Sequence, residues 1–278
     1  MNGSWIIQSL QDALDTWNGK LAEIWQLMTL PPQEFRGGSV WAVIASIHDV
    51  LKAVGYALLV LFFAAGAVRA GATLADTKRP EPVIRMFLRF ALAKAGITYG
   101  MDIMLGIMSA VQGVIRSIME ASGFDGTADM ALPAEVADAV AKSGFFESIP
   151  LWCISLIGSL FMLVESFVLI FSVYGRFFRI YMFTAAAPIP LASFAGEQTS
   201  QMGKSFLRNY TAACLEGAVI VLACAIFSAY ASSPPQISEG MQPVAAVWSY
   251  ITQTAFNMLV LTGAVRISDR VAREISGL

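Results

Sequence analysis

Three carboxylates, Asp102, Glu165 and Glu216, stand inside apolar runs long enough to cross a bilayer. An acid at the centre of a membrane helix costs about 2.5–3.5 kcal/mol on the insertion scale, so it faces a bundle interior or water. The arginines Arg176, Arg179 and Arg208 follow or precede these acids closely enough to pair with them across helices. Two chemistries fit such a set: ion pairs that lock helices together, or a polar lining for a conduit or a proton-coupled site. Motifs for catalysis are missing. Gly203-Lys204-Ser205 resembles the end of a phosphate-binding loop, but Gln198 stands where its first glycine belongs and no strand precedes it. HExxH, CxxC and GxSxG do not occur, and the single histidine, His48, excludes a multi-histidine metal site within one chain. The residues therefore predict neither an enzyme nor a cofactor or metal site.

The elements that must hold these charges are membrane helices. The chain has 278 residues, 56% hydrophobic and 14% charged, with a mean hydropathy of +0.64. Globular proteins average about 25% charged residues, and the deficit marks an integral membrane protein. The expected fold is all-α: a polytopic helix bundle of five spans plus a proline-broken re-entrant or interfacial segment, or alternatively six spans, preceded by an amphipathic helix. The three cysteines, Cys153, Cys214 and Cys224, lie in apolar runs and read as small hydrophobes, not a disulfide framework. No cleavable signal peptide is read at the start, where Asp12 and Asp15 precede any long apolar run.

Along the chain, residues 1–38 form an extracytoplasmic amino-terminal part. Within it Ile6, Leu10, Leu14, Trp17, Leu21, Ile24 and Met28 make one apolar stripe on a helix over 4–30, lying on the bilayer or on neighbouring helices. Residues 39–265 form the bundle, with spans at about 41–68, 86–115, 149–174, 208–231 and 244–265. In the first span His48, with Asp49 and Lys52, falls in the outer turns and reads as interfacial. In the second, Gly96 and Gly100 form a GxxxG that lets another helix approach. An acidic outer loop spans 120–148, with a short helix starting near Leu132-Pro133. The broken segment, 177–195, contains Pro188 and Pro190. Residues 266–278 form a short amphipathic tail with Arg266, Arg270 and Arg273.

Basic residues choose the orientation. With five spans the amino terminus lies outside and the carboxyl terminus in the cytoplasm. Twelve lysines and arginines then lie inside, in 69–89, 176–208 and the tail, against four outside: Lys20, Arg36, Arg116 and Lys142. A sixth crossing would put Lys204, Arg208 and the basic tail outside, which the positive-inside rule disfavours. Glu165, Arg176, Arg179, Arg208 and Glu216 are then expected near one cytoplasmic layer.

The run GRFFRIYMFTAAAPIPLASFAGEQTSQMGKSFLRNYTAACLEGAVIVLACAIF, Gly175 to Phe227, resembles the polytopic VirB6/TrbL family of type IV secretion systems, in the form carried by conjugative elements of Gram-positive bacteria. The shared pattern is a basic helix end, an A-P-I-P-like break, a polar linker, then lysine–phenylalanine opening the next helix. It is strongest over about residues 150–230. The resemblance implies an inner-membrane subunit that helps relaxase-bound single-stranded DNA across the cytoplasmic membrane. It further implies a homo-oligomeric ring, a pentamer in the family's pattern, working with a VirB4-like ATPase, a coupling protein and other secretion subunits, with DNA only in transit. One departure is the short acidic loop 120–148, which would repel DNA phosphates where diderm relatives have a long loop. A small-solute or ion transporter and a non-conducting membrane scaffold are the alternatives. Against the transporter, only one half of the chain has a broken helix and no internal repeat is visible.

Overall fold

The computed structural model describes residues 4–74, 81–123, 130–141, 143, 145–231 and 242–278. Among these, the chain is all α without a strand. The helices are α1 (Ser4–Thr29), α2 (Ser39–Leu74), α3 (Glu81–Thr98), α4 (Gly100–Ser122), α5 (Ala134–Ala141), α6 (Phe145–Ala186), α7 (Pro188–Ala192), α8 (Ser200–Ala231) and α9 (Pro243–Ile275). Among the described residues five segments are long and apolar enough to cross a membrane: Pro32–Arg69, Gly100–Ser122, Ile149–Ala186, Ser200–Tyr230 and Pro243–Ile275. The charged residues Asp76, Lys78, Arg79, Asp125, Asp129 and Lys142, and the loop 232–241, lie outside the described residues.

The helices pack as two compact units. The first comprises Met1–Thr29, Ile115–Gly175 and Val219–Ser268. All seven residues of the apolar stripe on α1 are buried here. α1 runs in the same direction as α6: Trp5 meets Trp152 at 5.9 Å between ring centroids, the Lys20 ammonium lies 6.0 Å from the Phe167 ring, and the Tyr174 hydroxyl donates to Glu23 at 2.9 Å. The apolar stripe of α1 therefore lies on neighbouring helices, one of the placements expected for it. Asn18 holds Met130 in both directions, donating to its carbonyl at 3.0 Å and accepting from its N–H at 3.2 Å. The Tyr250 hydroxyl donates to the Ala131 carbonyl at 3.3 Å. α5 then buries Val136 and Val140. Gly158 sets how closely α9 approaches α6, because a Cβ there would lie 2.7 Å from Ile251 Cγ2.

The second unit comprises Leu30–Val114, Arg176–Ala218 and Asp269–Leu278. α2 runs alongside the end of α6 and then α7. Phe35 stacks on Phe177 at 4.9 Å, the Tyr181 hydroxyl donates to the Pro32 carbonyl at 2.9 Å, and Gly55 abuts Pro188. α3 returns antiparallel to α2, with Tyr56 bonded to Thr98 at 2.9 Å and Phe63 packed on Phe90 at 4.7 Å.

Two expectations change here. The span expected at 86–115 divides at Tyr99, and only Gly100–Ser122 is apolar enough to cross. α3 carries Glu81, Arg85, Arg89 and Lys94, and its last residue Thr98 back-bonds to the Lys94 carbonyl at 2.8 Å, a geometry that bends helices. The hydrogen-bond ladder nevertheless continues, from Tyr99 N to Ala95 O and from Ile103 N to Tyr99 O. Nor does a separate segment begin at 177. α6 runs unbroken to Ala186, and the break is confined to the buried α7 and the short 3-10 turn Ser193–Ala195.

Candidate functional site

Arg176 and Arg179 are three apart on α6 and therefore share a face. Arg179 Nη1 donates to Glu216 Oε2 on α8 at 3.1 Å and also pairs with Asp269 on α9. Asp269 accepts from Arg273 Nε, one turn further along α9, at 3.2 Å. Three helices are thus joined through one guanidinium. Glu216 is the most enclosed member, its side chain 7% exposed. A carboxylate that deep persists only because a fixed cation is within hydrogen-bond distance.

Arg176 is placed differently. It is 4% exposed and is held by backbone oxygens, Nε to Ala213 at 3.4 Å and Nη2 to Cys214 at 3.1 Å, with its guanidinium 5.5 Å from the Phe177 ring centroid. Gly217 makes this possible: a Cβ there would lie 2.4 Å from Arg176 Cζ and Nη2. The glycine is a seat for the guanidinium plane.

The proline break is built around a second buried polar contact. Pro188 has no N–H to return to the Thr184 carbonyl four residues earlier. His48 Nδ1 lies 2.7 Å from that carbonyl oxygen. A carbonyl only accepts, so Nδ1 carries the proton and Nε2 the lone pair. Nε2 is buried with no hydrogen-bond partner among the described residues. His48 is fully buried. Further along, Ser193 Oγ donates to the Pro190 carbonyl at 2.6 Å and Thr199 Oγ1 to the Ser193 carbonyl at 2.7 Å.

Beyond α7, Phe62, Ala65, Gly66 and Arg69 of α2 and residues 196–199 line an open groove of about 350 Å³. Arg69 pairs with Gln198 and Arg89 Nη1 with Glu197 Oε2 at 2.9 Å. The hydrogen bond from Arg89, reinforced by its charge, holds the Glu197 carboxyl below the usual carboxylate range.

The structure does not bring all the sequence candidates together. Glu165 lies eleven residues before Arg176 on α6, about 16 Å along the axis at 1.5 Å per residue. Among the described residues its Oε2 is buried without a hydrogen-bond partner, and it makes no ion pair with Arg176, Arg179 or Arg208. Asp102 and Arg208 are exposed and stand outside the cluster as well. Gly100 fits closely against Leu191 Cδ1 and His48, whereas the space above Gly96 is open. Sequence reasoning missed Asp269 and the packing role of His48. The signal for Asp269 was its i, i+4 spacing to Arg273 on a helix that α9 continues to Ile275, where a separate short tail was expected. Among the described residues, no group of three His, Cys, Asp or Glu is arranged to hold a metal ion.

No curated protein matches the chain. The family model for TrbL/VirB6 plasmid conjugal transfer like proteins matches residues 17–188, from within α1 to Pro188. It covers the first part of the stretch from Gly175 on which the resemblance rests; residues 189–227 lie beyond it. The match spans more than half of the sequence: the chain belongs to the TrbL/VirB6 family of conjugal transfer proteins.

Proposed function

We propose that this chain is a channel or scaffold subunit of a conjugative type IV secretion machine, helping relaxase-bound single-stranded DNA across the cytoplasmic membrane. The observation that supports it is the family match, which takes in the second half of α1, all of α2–α5 and α6 as far as the proline break. Family membership makes it a structural component of conjugation, and we read it as a non-enzyme. Its partners in this reading are further copies of itself in a ring, a VirB4-like ATPase and a coupling protein. By the distribution of basic residues the amino terminus lies outside and the carboxyl terminus in the cytoplasm. Deleting the chain's gene in a donor strain should abolish transfer, and re-supplying the full chain should restore it. Transfer that persists in the deletion strain refutes the reading. A proton-coupled transporter draws support from the orphaned Glu165 carboxylate oxygen. A purified monomer that moves a solute in liposomes would favour it.

A further inference from the structure

Within the second unit, the groove at residues 196–199 is rimmed by arginines from two helices. α2 lines it with one stripe, Phe62, Ala65, Gly66 and Arg69, and Arg69 pairs with Gln198. From α3, Arg89 pairs with Glu197 at 2.9 Å, and the charge of Arg85 reaches the same carboxylate. Arg85 and Arg89 are four apart and share a face. α3 returns antiparallel to α2, with Thr98 beside Tyr56 and Phe90 beside Phe63. Counting along both helices from these pairs sets Arg69 level with the turn that carries Arg85. Three guanidinium groups therefore stand at one end of the helix pair. From Arg69 to Arg89 the sequence holds five basic residues against two acids, Asp76 and Glu81. Even with Glu197 counted, this end is net positive.

Beside the charge lies an exposed apolar stripe. Ile84, Phe87, Leu88 and Leu92 recur at helical period on α3, each more than half exposed, while Ala93 and Ile97 on the opposite side are buried. Leu61 and Val68 near the end of α2 are exposed as well. By helical period Arg85 and Arg89 border the α3 stripe on the side toward residue 197, and Lys94 borders its other edge. A soluble polyanion would satisfy the arginines and leave the stripe in water. A molecule with a phosphate at one end and hydrocarbon at the other suits both.

The place of this end agrees. α2 is apolar enough to cross a membrane, and its apolar run stops at Arg69. A span that ends in a basic cluster ends at the headgroup layer. α3 then turns back along the last turns of that span, so its stripe stands where acyl chains begin.

We propose that this end of α2 and α3 binds an anionic phospholipid, its phosphate in the arginine-rimmed groove and its chains along the stripe from Ile84 to Leu92. Guanidinium forks hold phosphate oxygens in pairs, a geometry that lysines cannot supply. The site depends on α2 crossing the membrane and is independent of whether the chain passes DNA.

The test titrates the purified full chain in detergent with phosphatidylglycerol, and with phosphatidylcholine of the same acyl chains, counting bound lipids by native mass spectrometry. The wild type should retain phosphatidylglycerol at lower concentration than phosphatidylcholine. Arg69→Gln, Arg85→Gln and Arg89→Gln should each weaken phosphatidylglycerol about fivefold and leave phosphatidylcholine unchanged. Lys94→Gln removes the same charge from the other edge of the stripe and should change neither. Leu88→Asn should weaken both lipids. Arg85→Gln leaves the Arg89–Glu197 pair in place, so the test survives if an Arg89 variant fails to fold. Equal retention of the two lipids overturns the proposal, as does a loss in Lys94→Gln equal to that in Arg85→Gln. Glycerol 3-phosphate that binds as tightly as the lipid assigns the groove to a soluble phosphate and overturns it too. A single-stranded oligonucleotide that displaces the lipid and needs the same arginines assigns the groove to nucleic acid, with the same consequence.

Discussion

His48 replaces the hydrogen bond that Pro188 removes, and this makes the two residues energetically coupled. The Thr184 carbonyl belongs to a fully buried residue, and His48 Nδ1 is 2.7 Å from it. His48→Leu keeps the side chain's bulk but leaves that oxygen without a donor, a loss of about 1–3 kcal/mol. Pro188→Ala returns an N–H to position 188. Ala187 already has helical φ and ψ of −50° and −39°, so that N–H can reach Thr184 in the ordinary i to i−4 pattern. In the Pro188→Ala background the same His48→Leu change should cost little. The coupling in a double-mutant cycle should then be about 1–2 kcal/mol, near tenfold in the unfolding equilibrium. His48→Gln, which retains a donor, should recover part of the loss. The measurement is reversible denaturation of the purified full chain in mixed micelles. A cycle that closes to within about 0.5 kcal/mol refutes the assignment of His48 as the donor that completes the break.

Three further outcomes follow from the same unit. Gly217→Ala gains about 1 kcal/mol of helix propensity but drives a methyl group into the buried Arg176 guanidinium, so it should destabilise by about 1–3 kcal/mol net, and the sign should reverse in an Arg176→Met background. Glu216→Gln and Asp269→Asn each leave Arg179 one carboxylate. Each alone should cost little, whereas the pair together should cost about 3–5 kcal/mol, read as a synergistic fall in thermal midpoint. The Glu197–Arg89 contact follows pH with a definite sign. Its carboxyl titrates below the usual value, so the contact contributes above the unfolded-state pKa and is lost as pH falls through the lower folded one. Hydrogen exchange of residues 196–199 should rise on acidification in the wild type, and Arg89→Ala should remove that dependence.

Much of the architecture is written in residue types. The stripe from Ile6 to Met28 comes at helical spacing and is buried as a set, because one face of an amphipathic helix must leave water. Apolar runs marked the stretches that form α6, α8 and α9, and Pro133 marked the start of α5. The pairing of Arg179 with Glu216 was within reach too, since arginines and an acid on neighbouring membrane helices have few other partners. Where local pattern failed, a distant contact was responsible. Nothing near His48 in the chain says that it faces a carbonyl deprived of its donor 136 residues later. Asp269 fell in the expected short amphipathic tail, because the sequence could not place the end of α9 beside α6.

The sequence by itself determined that the chain is all-helical, membrane-embedded and of the TrbL/VirB6 kind, because hydropathy, helical period and family pattern are local properties. Tertiary structure decided which charges meet. Burial separated the Arg179–Glu216–Asp269 cluster from Glu165, whose place in the chain had suggested membership. It also decided that α1 lies along α6 with its apolar stripe buried, since only packing fixes which neighbour an amphipathic helix covers.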